Sequence, residues 1–168
     1  MELLSESSNV MLGKAAADGN LVTLQGNRVL ATQCDEVQVI IHLSTGAAAT
    51  AAQQATVTVE EHTLNAGGTT QTITQETTVL TNGAPLMVNG TGIAARTKNT
   101  TPQSSYQTLA ADGNKEQILV IPIRSRRLSS GFRYLSAKVT GLTAARVVAI
   151  YMQRTGESYG AEQNVNLY

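Results

Sequence analysis

Tryptophan is absent from the 168-residue chain, and phenylalanine and cysteine each occur once. A core built without large aromatics has to rest on small aliphatic side chains. One cysteine, Cys34, excludes an intrachain disulfide framework. Its neighbours Asp35 and Glu36 are the wrong setting for a reactive thiolate, so Cys34 reads as a core or near-core thiol. Charged residues make up only 14% of the chain, and Thr, Ser, Asn, Gln and Gly stand in their place. Surfaces of that kind tolerate being covered by a neighbour, because burying Thr costs far less than burying Lys or Glu. No apolar run approaches the roughly 20 residues of a membrane-spanning helix. The opening "MELLSESSNV" is acidic and lacks a basic stretch followed by a continuous apolar one. Synthesis and folding in the cytoplasm are expected, with no membrane partner.

What is present fits one globular domain. Hydrophobic residues are 42% of the total, and a chain of this length buries about two thirds of its unfolded surface. The formal net charge is zero but unevenly spread. Residues 1–90 hold two basic and eight acidic residues, a formal −6; residues 91–168 hold ten basic and four acidic, a formal +6. A nucleic-acid binder usually carries an overall basic surplus, so nucleic acid is not expected as a partner. The asymmetry suits either neutralisation within one fold or a dipolar surface that orients protein contacts.

Periodicity of two runs through most of the chain and periodicity of 3.6 is nearly absent. "NLVTLQGNRVLAT" alternates around Gly26-Asn27, which predicts a hairpin or two short strands. "EVQVIIHLS" places Val37, Val39 and Ile41 on one face, and "TVTVEEHTL" does the same with Val57 and Val59. "QILVIPI" is a strand whose Pro122 points to an edge or a strand end. "FRYLSAKVTG" turns Leu135, Ala137 and Val139 inward, and "RVVAIYMQR" turns Val148, Ile150 and Met152 to one side. Thr69–Val79 is threonine-rich with little to bury, which predicts an edge strand or a loop. Turn residues dominate 81–115, with a short strand at Leu86–Val88. The expected fold is all-β: an antiparallel, jelly-roll-like β-sandwich with extended arms. Its expected layout is an N-terminal arm over 1–20, a sandwich over 21–155 with a loop-rich insertion around 69–115, and a tail over 156–168.

Catalytic chemistry is thinly represented. Glu60 and His62 share a strand face and His42 lies on another strand, but one carboxylate and two imidazoles are a weak metal set. No G-x-S-x-G occurs and no serine is placed by sequence to pair with either histidine. No glycine-rich phosphate loop enters a helix. Neither a cofactor, a metal nor an enzymatic activity is expected. The dense feature is Arg124, Arg126 and Arg127 in "RSRRL", with Arg133 after the turn and Phe132 and Tyr134 beside it. Arginine pairs bidentately with carboxylates, so these four residues are expected to meet an acidic protein surface.

The succession "ILVIPI", "RRLSSG", "FRYLSAKVTG", "RVVAIYMQ" and "YGA", with "VQVIIHLSTG" and "ATVTVEEHTLNAGG" in the first half, resembles a known family. It is similar to the small β-sandwich decoration, or cement, proteins of tailed bacteriophage heads. The resemblance covers two blocks on either side of residues 65–117. It implies a non-enzymatic virion protein on the capsid exterior that acts as a dimer or trimer and binds the major capsid protein, bridging neighbouring subunits. The chain departs from the pattern where arginines of the "RSRRL" turn stand in place of acidic residues, and in the length of 69–115. The alternatives are a head–tail joining or tail structural protein, and a carbohydrate-binding adhesion sandwich. The latter usually relies on exposed aromatics or Ca²⁺-binding carboxylates, and aromatics of all kinds are only 4% of this chain.

Overall fold

Val37, Val39, Ile41 and Leu43 occupy every second position of Glu36–Thr45 and are completely buried. In a strand that spacing puts them on one side, and the rest of the fold is arranged to cover that side. The computed structural model describes residues 8–18, 23–45, 54–82, 93–112, 115–141 and 146–156. Its strands are β1 (Ser8–Asp18), β2 (Thr23–Gln25), β3 (Val29–Leu30), β4 (Glu36–Thr45), β5 (Thr56–His62) and β6 (Thr70–Thr72), followed by β7 (Gln75–Asn82), β8 (Ile93–Gln103), β9 (Tyr106–Gln107), β10 (Gln117–Arg124), β11 (Tyr134–Thr140) and β12 (Arg146–Thr155). Two short 3₁₀ turns, Ala110–Asp112 and Ser125–Arg127, are the helical content among the described residues.

All pairings are antiparallel, and the strands form two sheets. Sheet A runs β1-β12-β4-β10-β7-β8, and sheet B runs β2-β11-β5-β6 with β3 also on β11 and β9 also on β5. The chain is thus an antiparallel β-sandwich. One apolar cluster joins the inner faces: Ile41, Ile121 and Ile150 of sheet A with Val57, Leu135 and Val139 of sheet B, all at 0% exposure. Each such aliphatic side chain contributes about 1.5–3 kcal/mol on burial, so the lack of aromatics is met by number.

Three expectations change. The proposed arm over 1–20 is, from Ser8 to Asp18, an edge strand of sheet A paired with β12. Main-chain bonds hold an edge strand without needing an apolar alternation, so no periodicity marks it in the sequence. The loop-rich insertion at 69–115 contains β6, β7, β8 and β9. Its signal was hidden because β7 turns Gln75, Thr77 and Thr81 inward beside Val79, all buried. Both side-chain atoms of the Gln75 amide are buried without a hydrogen-bond partner. Pro122 lies in an interior strand, not at an edge, but the β7 ladder stops at Val120 and the proline interrupts no described pairing there. The "NLVTLQGNRVLAT" segment forms two short strands that both pair with β11. The expected strand at 86–88 and the tail beyond Gly156 lie outside the described residues.

Candidate binding surface at the arginine end

β10 ends at Arg124 and the chain turns once through Ser125–Arg127 before Leu128 drops back against the core. Leu128 N–H donates to the Ser125 carbonyl (3.1 Å), and Phe132 N–H to that of Ser129 (3.0 Å). Gly131 closes the turn at φ 86°, a conformation that suits glycine. Both flanks are tied to the sandwich. Ser125 N–H donates to the Asp35 carbonyl (2.9 Å), and Arg133 N–H to that of His62 (2.9 Å).

A buried carboxylate fixes the middle. Glu61 is 1% exposed at the end of β5. Its oxygens accept from Ser129 N–H (2.9 Å), Ser129 Oγ (2.6 Å) and Gln71 Nε2 (2.5 Å). Buried acids survive in folds when donors surround the charged form, and this one clamps the turn onto sheet B. Glu61 is the functional residue that sequence reading missed. Its signal was an acid at the inward position that continues Val57 and Val59.

The clamped turn carries the arginines outward. Arg124, Arg126, Arg127 and Arg133 are all exposed. Among the described residues none of the four makes an ion pair. Arg124 and Arg126 border a depression of about 330 Å³ whose other walls are Cys34, Asp35 and Ser125. Cys34 is buried there, with Sγ 3.6 Å from the Ala31 carbonyl and from Ser125 Oγ. Asp35 N–H bonds the Thr155 and Gly156 carbonyls (3.0 and 3.2 Å). Gly156 sits at φ 66°, and a Cβ there would collide with the Asp35 carboxylate. The four arginines are thus exposed at or beside the turn that closes this end of the sandwich, with Asp35 in the depression beside Arg124 and Arg126 and Glu36 opposite Arg124.

The histidines do not converge. His42 lies on sheet A and contacts Glu116. His62 lies on sheet B, where Nδ1 is 2.8 Å from Thr70 Oγ1 and Nε2 is 2.7 Å from Ser136 Oγ. No group of three metal-ligating side chains occurs among the described residues. No serine was placed by sequence to pair with a histidine, yet Ser136 meets His62; the two are 74 residues apart in sequence. Ser136 is 0% and His62 1% exposed, and no carboxylate bonds the second ring nitrogen. Gln25 Nε2 donates to Ser136 Oγ (2.8 Å) and to Glu60 (3.2 Å), while Lys138 Nζ pairs with Glu60 (3.0 Å). This geometry staples β2, β11, β5 and β6 together. Burial and then the Arg28 guanidinium lower the His62 pKa, with Glu60 and Glu61 opposing, so the ring is neutral. Arg28 itself donates to the Leu64 and Gly67 carbonyls (2.8 and 2.5 Å).

No protein-family model and no curated protein matches the chain. A solved structure of a presumed sugar-binding protein from Bacteroides thetaiotaomicron VPI-5482 is similar at 12% identity and a TM-score of 0.37. The similarity covers 79% of this chain and 66% of that one. The superposition is too loose to carry a ligand or a mechanism across.

Proposed function

We propose that this protein is a non-enzymatic structural component of a virion, docking its arginine end on an acidic surface of the assembled capsid and bridging neighbouring shell subunits. The observation that supports the reading is the set of four exposed arginines at and beside a turn held by the buried Glu61, none of which makes an ion pair among the described residues. A rigid cationic turn presents its guanidiniums with little ordering cost on binding. Arginine forks then match carboxylates of the major capsid protein. Each contact is modest, but repetition around a symmetric shell multiplies it. The catalytic-looking Ser136–His62 pair is sealed and hydrogen-bonded on both sides, and contributes to the sandwich.

The test mixes purified protein with undecorated shells and quantifies bound copies by mass spectrometry after sedimentation. Copies in a fixed ratio to the shell protein are expected, with binding that weakens as salt shortens the Debye length below about 8 Å. Reversal of charge at Arg126, Arg127 and Arg133 to Glu should weaken binding about a hundredfold, because like charges then face the acidic partner. A handful of copies per particle would assign a joining or tail role. No copies, or binding untouched by the triple reversal, would refute the proposal.

A further inference from the structure

Sheet A is apolar on both faces, although sheet B covers only one. Alternation fixes which residues look outward: Val37, Val39 and Ile41 of β4, Leu119, Ile121 and Ile123 of β10, and Val148, Ile150 and Met152 of β12 are buried inside. The residues between them therefore face away from the core. The register then sets these outward residues side by side. Tyr151 of β12, Ile40 of β4, Val120 of β10 and Thr78 of β7 form one row. Ala149, His42, Ile118 and Leu80 form the next row, and Gln153, Gln38 and Pro122 the row on the other side. Tyr151 is 37% exposed, and Ile40, Val120, Ile118, Leu80 and Pro122 are partly exposed.

An antiparallel sheet with one wet face normally alternates apolar with polar, whereas near-continuous apolar runs such as "ILVIPI" belong to strands covered on both sides. We propose that the outer face of sheet A is a homodimer interface, on which a second copy of this chain lays the same face with its strands antiparallel. Three observations point to a second copy. The centre of the patch bears no full charge, so nothing in it answers a strongly ionic partner. Four strands from Glu36 to Leu43 project roughly 500 Å², which side-chain relief raises toward the ~800 Å² per partner of a standard interface. Charges surround the patch: Arg124 and Glu36 at one end of the strands, the His42–Glu116 contact at the other, and the Lys98–Glu76 pair on the β8 side, where Lys98 stands beside Thr78. A two-fold axis lying across the strands sets the Arg124 end of one copy over the Glu116 end of its mate. An axis along the strands would stack Arg124 on Arg124. The two sheets would cross at the ~30° of aligned face-to-face packing.

Analytical ultracentrifugation of the full chain from about 1 to 100 µM, which spans the ~µM range of modest dimers, tests this. A dimer is expected. Tyr151→Lys should raise its dissociation constant at least about tenfold, since it desolvates a charge at the centre of the contact. Val120→Thr, which keeps strand shape and adds one hydroxyl, should raise it several-fold; circular dichroism confirms that both variants fold. The Arg126, Arg127 and Arg133 reversal should leave the dimer unchanged, so loss of shell binding and loss of dimerisation are separable. A wild-type monomer throughout the range, a trimer, or a dimer unaffected in the folded variants would overturn the proposal.

Discussion

Replacing Glu61 by alanine removes the clamp beneath the arginine turn. The carboxylate accepts three hydrogen bonds, two from Ser129 and one from Gln71, at 1% exposure. Bonds to a charged group contribute about 1.5–3 kcal/mol each when the partner is left stranded. Ser129 and Gln71 are exposed, so water takes up their freed donors. That moves the figure below this range, to about 1 kcal/mol per bond and about 3 kcal/mol for Glu61→Ala. With a urea slope near 2 kcal/mol/M, the unfolding midpoint should fall by about 1.5 M at unchanged slope. Glu61→Gln keeps an acceptor for Ser129 N–H but turns an NH₂ toward Gln71, and should lose about half as much. Ser129→Ala, which deletes the hydroxyl's bond to Glu61 and the one it accepts from the exposed Gln71 amide, should cost about 1–2 kcal/mol. Urea titrations followed by far-UV circular dichroism at pH 7 supply all three values. A Glu61→Ala midpoint within about 0.3 M of the wild type would refute the reasoning, because the carboxylate would then be holding nothing.

The His62 network gives a pH dependence with a defined sign. Burial and Arg28 lower the folded pKa below the ordinary 6.5, so the unfolded chain takes up the proton first. Stability from this group is complete above pH 6.5 and falls as the pH drops toward the folded value. Midpoints measured from pH 8 to 5 should decline below 6.5, and His62→Gln should flatten that decline; an equal decline in the variant would place the proton elsewhere. Gln75 makes the opposite prediction. Its buried amide has no hydrogen-bond partner, so Gln75→Met, which fills similar space with apolar atoms, should raise stability by about 1–2 kcal/mol. A thermal melt that shifts downward would show that the amide is satisfied.

The sequence alone determined the class of the fold. Val37, Val39 and Ile41, Val57 and Val59, Leu135, Ala137 and Val139, and Val148, Ile150 and Met152 all face the core as their alternation required. Period two with aliphatic side chains is buried by stacking two sheets or by closing one into a barrel, and the pairing of the strands settles it as two sheets. The exposure of Arg124, Arg126, Arg127 and Arg133 at and beside a turn was also legible, since turn residues run over the surface. Tertiary structure alone decided which strands pair, because β1 and β8 are held by main-chain bonds that leave no side-chain signature. It alone brought Glu61 to Ser129 across 68 residues and Gln25 to Ser136 across 111. Polar partners are chosen by where the backbone delivers them. Local spacing carries the hydrophobic pattern, while the hydrogen bonds that hold this surface in place depend on contacts that exist only once the sheets have closed.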